Sequence, residues 1–295
     1  MTRRVVVTGA SGFIGRALVA RLAGRGRTVA SLGRMELASV ESIQLAMTGA
    51  DCVVHLAARA HRGGAAAEFE ADVVLTQSLA RSASQGGVRR FVHMSSIGVL
   101  GTCTHGSAFT EAAQPAPQEP YARAKLRAEE ALQRELSSAA TEWVIVRPPM
   151  VHGPGAPGNF RRLLRAVQRR WPLPFAQVRN RRALVGIENL LDAIELCIDH
   201  SAAASQVFLV ADAEPISTAE LAALIAQGLG VAPRLWSLPP AWLGAAACAT
   251  GRRRMAESLL CDLEIDTSHI RHSLGWQPRV GAREGIVQAA AASRT

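Results

Sequence analysis

Tyrosine and lysine are almost absent from this 295-residue chain, and aromatic residues make up only 4% of it. Its one tyrosine, Tyr121, and its one lysine, Lys125, stand four residues apart, and every other cationic side chain is arginine. Residues at this spacing share one face of a helix, and a nearby ammonium is expected to lower a phenol pKa from about 10. The pair is therefore a candidate for acid–base catalysis, although the spacing alone also fits an exposed amphipathic helix.

Other absences narrow the class of protein. The five cysteines are scattered without a C-x-x-C pair, which argues against a disulfide framework and leads us to expect no metal site. No apolar run is long enough to cross a bilayer, and the first strand pattern begins by Arg4, which leaves no room for a signal peptide. We expect a cytoplasmic enzyme with one large domain, or a domain with a lobe.

The net charge of +9, with arginine doublets at 161–162, 169–170 and 181–182, invites comparison with nucleic-acid-binding proteins. No helix-turn-helix or RNA-binding signature accompanies these arginines, so we expect no nucleic-acid partner. A small substrate carrying phosphates suits them, because guanidinium forks match phosphate oxygens. The stretch 235–248, with two tryptophans before an arginine triplet, fits a membrane surface or a cover for a substrate lobe. We expect the cover, and therefore no membrane association.

A glycine-rich turn opens the chain. A β-branched strand pattern at 4–8 is followed by glycines at 9, 12 and 15 and by a helical pattern at 16–22. This is the context that a dinucleotide-binding fingerprint requires, with the pyrophosphate at the helix N-terminus. Gly9 is expected to allow the tight turn, Gly12 the approach of backbone to phosphate, and Gly15 the packing of helix on strand.

Strand and helix patterns alternate over the first two thirds of the chain and predict a Rossmann-type, doubly wound parallel α/β sheet with a smaller C-terminal substrate-binding lobe. Strands are expected at 28–32, 51–57, 88–94, 142–146 and 206–210, and helices near 16–24, 72–86, 121–139 and 189–200. We assign residues 1–157 and 183–210 to the dinucleotide-binding domain, and residues 158–182 and 211–295 to the lobe.

These motifs together resemble the extended short-chain dehydrogenase/reductase family, in its branch of NAD-dependent epimerases and dehydratases that act on nucleotide sugars. The resemblance spans nearly the whole chain and is carried by the segments 8–15, 51–58, 94–101, 121–125, 147–149 and 274–278. It implies that Tyr121 donates or accepts the substrate proton, that Ser96 binds the same oxygen, and that Lys125 holds the nicotinamide ribose and lowers the Tyr121 pKa. The implied cofactor contacts are Gly9, Ser11, Gly12, Phe13, Ile14, Gly15, Arg34, Leu56, Ala57, Ala58, Ser95, Tyr121, Lys125 and Pro148.

The cofactor type depends on the end of the second strand. Users of NAD in this family carry an acid there, whereas this chain has Gly33 and Arg34. A guanidinium suits the 2′-phosphate of NADP, so we predict NADP(H), with NAD(H) as the alternative and a solvated Arg34 as the plain interpretation. The sixteen residues between Arg34 and Asp51 are few for the family's third strand and adenine pocket, which leaves both in question.

Substrate recognition is implied by the segment after residue 150. It resembles the nucleotide-sugar-binding segment of the family, with Asn159 and Arg182 as contacts to the diphosphate sugar, alongside Ser96. The first hypothesis is an NADP(H)-dependent 4-reductase of UDP-4-keto-6-deoxy-N-acetylhexosamines for surface polysaccharide. The second is a UDP-hexose 4-epimerase with bound NAD, and the third is a non-catalytic nucleotide-binding sensor.

The resemblance also implies a homodimer that pairs through the helices at 72–86 and 121–139. The expected apolar seam consists of Leu75, Leu79, Leu126, Ala128 and Leu132.

Overall fold

A computed structural model describes residues 4–58, 66–251 and 253–294. The strands are β1 (Arg4–Thr8), β2 (Thr28–Leu32), β3 (Cys52–His55), β4 (Arg90–Met94), β5 (Glu142–Arg147), β6 (Met150–His152), β7 (Leu184–Gly186) and β8 (Gln206–Leu209). The helices are α1 (Phe13–Gly24), α2 (Val40–Met47), α3 (Ala66–Gln85), α4 (Pro120–Glu135), α5 (Gly158–Gln168), α6 (Ile187–Asp199), α7 (Thr218–Leu229), α8 (Pro240–Ala249), α9 (Arg253–Leu260), α10 (Ser268–Leu274) and α11 (Ala282–Ala291).

Six strands form one parallel sheet in the order β2-β1-β3-β4-β5-β8. Its central strands are almost wholly apolar and buried on both faces, as a parallel sheet covered by helices requires. One core packs α1 and α6 against the sheet, and a second packs α2, α3 and α4 against its other face. The doubly wound parallel sheet expected from the alternating patterns is thus confirmed, and each predicted strand is present with boundaries shifted by at most two residues.

The segment between β2 and β3 contains no strand. Residues 33–51, all of them described, form a turn, a short 3-10 helix at Glu36–Ala38 and α2. Strand β2 is consequently the edge of the described sheet. The short spacing between Arg34 and Asp51 therefore holds no strand, none of the described residues forms one outside β2, and residues 33–36 are exposed at the sheet edge.

A small two-stranded sheet of β6 and β7 lies where the dinucleotide-binding domain meets the C-terminal lobe. The side chain of Leu184 lies in the lobe core with α5, α7 and α11, whereas Val185 lies in the core of the main sheet. Alternation of side chains along β7 therefore joins the two cores.

A buried polar cluster fixes this junction. Asp212, just after β8, accepts hydrogen bonds from the backbone N–H of Gly186 (3.0 Å) and the side-chain amide of Asn189 (2.7 Å), and lies 2.9 Å from Nε2 of His152. The Asn189 amide also binds the backbone of Val280. The cluster thus connects β6, β7, α6 and the C-terminal segment.

The expected dimer seam is wrong in three of its five residues. Leu79, Ala128 and Leu132 are buried within the chain, where α3 and α4 pack on the sheet and on each other. The reason is that the apolar stripe of each helix is already covered by the core of the same chain. Leu75 and Leu126 remain half-buried, so pairing through these helices stays a prediction that needs other contacts.

Candidate active site

The glycine turn after β1 has the geometry of a dinucleotide-binding loop. Gly9 has a positive φ of 68°, and a Cβ added there would meet the backbone N of Ala57 at 2.7 Å. A Cβ on Gly15 would lie 2.2 Å from the carbonyl oxygen of Gly9, so only glycine lets α1 begin this close to the turn. Gly12 is exposed at the N-cap of α1, where backbone N–H groups are available to an anion. This cradle fits a pyrophosphate, with Ser11, Phe13 and Ile14 beside it.

The end of β3 supplies the neighbouring wall. Leu56, Ala57 and Ala58 follow the strand half-buried, next to the turn. The His55 ring points inward, with Nδ1 2.7 Å from the Thr8 hydroxyl and Nε2 3.1 Å from the Thr76 hydroxyl. Burial, aided by the Lys125 charge, lowers the His55 pKa to about 3. His55 is therefore a neutral structural residue, and the three residues after it are the ones placed to meet a cofactor.

Helix α4 carries the tyrosine and the lysine on one face, as the spacing predicted. Tyr121 and Lys125 line the same small cleft together with Asp72 and Thr76 of α3. The buried Lys125 ammonium donates a 2.7 Å hydrogen bond to the backbone oxygen of Met94 at the end of β4. Burial lowers the Lys125 pKa to about 8, while the carboxylates of Asp72 and Glu129 oppose the shift.

The expectation that Lys125 lowers the Tyr121 pKa is not what the structure shows. Burial raises the Tyr121 pKa above its ordinary value, and the Asp72 carboxylate raises it further. The physical reason is that the phenol leaves water in a cleft where its nearest carboxylate disfavours a phenolate, while the ammonium is directed to Met94. Tyr121 is thereby held in its protonated form.

The two serines after β4 have different environments. Ser96 is half-buried, and its hydroxyl accepts a hydrogen bond from the backbone N–H of Gly98 (3.1 Å). A Cβ on Gly98 would lie within 3.5 Å of both this hydroxyl and Ala122, so Ser96 lies next to the start of α4. Ser95 is buried and donates its hydroxyl to Glu129. Its side chain is turned into the protein, so the expected cofactor contact of Ser95 is not available through the hydroxyl.

An ion pair beneath the site was not anticipated. The Glu129 carboxylate accepts two hydrogen bonds from the Arg147 guanidinium, of 3.0 and 2.5 Å, and both side chains are buried. The pair joins α4 to the end of β5, where Pro148 follows and accepts a bond from the N–H of Ile97 (3.0 Å). Glu129 stands one helical turn beyond Lys125, and that repeat of the four-residue spacing was the available sequence signal.

The end of β2 presents two opposite charges. Arg34 is exposed in the turn after the strand. Glu36 folds back so that its carboxylate accepts the N–H of Gly33 at 2.9 Å. The expectation that no carboxylate follows this strand is therefore wrong: the chain turns back within three residues and brings one there.

The two expected substrate residues lie in the lobe, apart from each other in environment. Asn159 is exposed in the first turn of α5 and contacts Arg162 at 3.4 Å. Arg182 is half-buried, donates to the backbone oxygen of Cys261 at 3.0 Å, and has its pKa lowered by burial. Among the described residues no group of acidic, histidine and cysteine side chains suits a metal ion, and no helix is long and apolar enough to span a membrane.

A parallel sheet with a glycine cradle at one strand end and a Tyr–Lys pair two strands away defines a dinucleotide-binding enzyme fold. Comparison with known proteins is consistent with this class. The model of the NAD dependent epimerase/dehydratase family matches residues 5–211, and the chain belongs to that family. It is an NAD(P)-dependent enzyme of the extended short-chain dehydrogenase/reductase type.

Several relatives cover the whole chain. A UDP-glucose 4-epimerase of Vibrio cholerae is 35% identical over 99% of this chain and 96% of its own length. A dTDP-6-deoxy-L-talose 4-dehydrogenase (NAD(P)(+)) of Kitasatospora kifunensis is 28% identical over 97% and 93%. The crystal structure of Thermus thermophilus UDP-glucose 4-epimerase in complex with NAD superposes with a TM-score of 0.78 at 24% identity, over 97% of each chain, and supports the fold.

Proposed function

We propose that this protein reduces the C4 ketone of a UDP-4-keto-6-deoxy-N-acetylhexosamine with NADPH, as a step in making nucleotide sugars for surface polysaccharide. The observation that carries the proposal is the cleft shared by Asp72, Tyr121 and Lys125. Ketone reduction needs a protonated phenol, and both burial and Asp72 favour that form. An epimerase must also use the phenolate, which the same surroundings disfavour.

The adenosine side of the cofactor site supports the same choice. With β2 at the edge of the described sheet and residues 33–36 exposed, the described residues leave open the turn after β2, where we place the adenosine end. A reductase must exchange its cofactor in every turnover, whereas a 4-epimerase retains NAD. An open adenosine end suits exchange.

Each site residue has one task in this scheme. The bound dinucleotide supplies the hydride when the ketone is reduced. Tyr121 donates its phenolic proton to the carbonyl oxygen, and the Ser96 hydroxyl donates a hydrogen bond to the same oxygen. Lys125 binds the ribose hydroxyls and holds positive charge beside Tyr121. The glycine turn binds the pyrophosphate through backbone N–H groups.

Substrate binding is assigned to the lobe. We propose that Asn159 contacts the sugar diphosphate and that Arg182 binds a phosphate. Arg182 keeps its contact with Cys261 as a fixed base from which the remaining guanidinium N–H groups reach the ligand. We further propose that the enzyme acts in the cytoplasm as a homodimer, which light scattering at micromolar concentration tests directly.

The second candidate is UDP-hexose 4-epimerisation with bound NAD. It is favoured by the Vibrio cholerae relative of that name, which is 35% identical over nearly the whole chain. The Glu36 carboxylate at the end of β2 also suits the ribose hydroxyls of NAD better than a 2′-phosphate.

One experiment separates the two candidates. The purified protein is denatured and the released nucleotide identified, and the native protein is assayed for NADPH oxidation with a UDP-4-keto-6-deoxy-N-acetylhexosamine and for interconversion of UDP-glucose and UDP-galactose. Protein free of nucleotide that oxidises NADPH supports the reductase. Stoichiometric NAD released on denaturation, together with interconversion, establishes the epimerase instead.

A further inference from the structure

Three of the five tryptophans of this chain lie exposed in the C-terminal lobe. Trp171, Trp236 and Trp242 have 55%, 47% and 69% of their surface accessible. Large exposed aromatic side chains are costly to leave in water, and when grouped they mark a binding surface. Their grouping, rather than their number, carries the argument.

The segments that carry Trp171 and Trp236 pair with each other through backbone hydrogen bonds. The backbone N–H of Leu173 binds the oxygen of Arg234 at 2.8 Å, and that of Trp236 binds the oxygen of Leu173 at 3.0 Å. An open groove of about 420 Å³ runs between the segments, lined by Pro172, Arg234, Leu235 and Trp236. The Arg169 guanidinium lies over the Trp171 ring, 5.8 Å from its centre. The groove is therefore apolar with arginine at its rim.

Helix α8 is separated from Trp236 of this groove by three residues and contains Trp242. All ten of its residues are described, none is buried, and none is charged. Leu243 and the small residues around it are half-buried or exposed. The expectation that this stretch covers the lobe is therefore wrong for α8, since a helix that covers a core buries one stripe of side chains.

The two stretches of chain that carry the three tryptophans contain arginines and no acidic residue. No acidic residue occurs from 143 to 187 or from 221 to 256, while these two stretches contain nine and four arginines, respectively. Arg169, Arg170 and Arg234 are exposed next to the groove. Exposed arginines thus lie beside the groove, in stretches of the chain that contain no acidic residue.

We propose that this tryptophan face, made of Trp171, Pro172, Arg234, Leu235, Trp236 and α8, docks on an anionic lipid surface. Tryptophan rings settle at the boundary between headgroups and acyl chains, and arginines beside them meet lipid phosphates. Helix α8 has almost no hydrogen-bonding side chains with which to specify a protein partner. A second copy of this chain is disfavoured because self-association through this face would bring like charges together.

Docking in this way turns the substrate lobe toward the membrane. Helix α5 ends at Gln168, next to Arg169 and Trp171, and its first turn holds Asn159. The lobe that is assigned to the nucleotide sugar would then deliver its product close to a lipid surface. The docking face itself uses none of the residues assigned to catalysis, so its test is independent of the reaction.

The test uses the full chain with vesicles of phosphatidylcholine alone or mixed with phosphatidylglycerol, in sedimentation assays at low and high salt. We expect binding to the mixed vesicles at low salt, weakened at high salt by screening, and little binding to phosphatidylcholine alone. Lipids brominated in the acyl chains should quench the fluorescence of the exposed tryptophans. Absence of sedimentation with anionic vesicles at low salt, or equal binding to both lipids, overturns the proposal.

Matched variants locate the surface. Replacing Trp236 and Trp242 by serine should lower vesicle binding by roughly tenfold or more. Changing Arg169, Arg170 and Arg234 to glutamine should lower it by on the order of a hundredfold, at about fivefold per arginine. Leu45→Ser, at an exposed apolar residue on α2, and Arg271→Gln, at an exposed arginine on α10, are controls that should bind like the parent.

The remaining outcomes are also decisive. If the tryptophan variant binds vesicles like the parent while the arginine variant does not, the contact is electrostatic alone, and the proposed docking through the tryptophans is wrong. If the parent associates with itself and the tryptophan variant does not, with no lipid bound by either, the face is an interface between copies. If neither lipid nor a second copy is bound but an acidic protein is, the partner is a protein, and the lipid assignment fails.

Discussion

The charged side chains beneath α4 are buried and paired, whereas many of those in the C-terminal lobe are exposed. Beneath α4, Glu129 accepts hydrogen bonds from Arg147 and Ser95 inside the protein, and Lys125 donates one to the backbone oxygen of Met94. In the lobe, no acidic residue occurs from 158 to 182 or from 221 to 256, and Arg169, Arg170 and Arg234 are exposed there. Internal pairing fixes the positions of buried charges, whereas exposed arginines leave a surface that can bind anions from outside.

The largest expected effect is a loss of turnover when Tyr121 or Lys125 is replaced. Tyr121→Phe keeps the ring and removes the proton, so turnover should fall by about 10² to 10⁴ while cofactor affinity stays near normal. Lys125→Arg should also lower turnover, because the cleft accepts a compact ammonium and a guanidinium is broader. The loss in the double variant should be much smaller than the product of the single losses. A normal rate in Tyr121→Phe, with chemistry rate-limiting, would refute the assignment.

Buried pairing is tested by removing one partner. Glu129→Gln leaves the buried Arg147 guanidinium without its counter-charge, and should lower the free energy of unfolding by about 3 to 5 kcal/mol. Urea titration measures the change. The control is Glu70→Gln, which removes the partner of Arg127 in an exposed pair and should leave the midpoint unchanged. Similar shifts of the urea midpoint in the two variants would mean that the buried pair contributes no more to stability than the exposed pair.

The choice between NADPH and NADH is tested at the end of β2, where Arg34 and Glu36 carry opposite charges. Arg34→Ala should weaken NADPH roughly tenfold or more relative to NADH, because a charge-assisted bond to the 2′-phosphate is lost. Glu36→Gln should shift the preference the other way, since it removes a carboxylate that repels the phosphate. Titrating both cofactors into each variant gives the two ratios. Equal losses for both cofactors in Arg34→Ala would identify Arg34 as a solvated loop residue and weaken the reductase proposal.

The smallest expected effect is a shift in pH dependence. Because the Lys125 pKa is lowered to about 8, the ammonium is present below this pH and is lost above it, so turnover should decline on the alkaline side near pH 8. Asp72 raises the Lys125 pKa, so Asp72→Asn should move this decline to lower pH. Turnover measured against pH in the parent and in Glu70→Gln, a carboxylate change on the same helix, supplies the reference. An unmoved decline in Asp72→Asn would remove Asp72 from the site.

Much of the fold followed from local patterns. The strand at Arg4–Thr8, the glycines at 9, 12 and 15 and the pair at 121 and 125 depend on neighbours in the chain, and all appear as expected. The failures concern contacts between distant segments. Glu129 of α4 binds Arg147 at the end of β5, and Asp72 of α3 lines the same cleft as Tyr121 of α4. The spacing of Glu129 from Lys125 places it on the same helix face but does not identify Arg147 as its partner, and no local spacing joins Asp72 to Tyr121.

The direction of the Tyr121 pKa shift illustrates the same limit. Spacing places a charge next to the phenol, but it carries no information on how much water the cleft excludes. Desolvation is a property of the packed structure, and here it outweighs the neighbouring ammonium. The apolar seam of α3 and α4 failed for a related reason, since a periodic stripe does not reveal whether its own core or a partner will cover it.

Strand β2 is the outer edge of the described sheet, so a further strand can be added beside it. Its five residues leave one side of the backbone without a strand partner among the described residues, and two of them, Thr28 and Ser31, are exposed and polar, which limits edge-to-edge pairing. The register of the other five strands does not depend on what lies beyond this edge. A strand-and-helix unit grafted between Arg34 and Val40 could therefore extend the sheet by one strand, which makes this turn a natural joint for recombining longer and shorter members of the family.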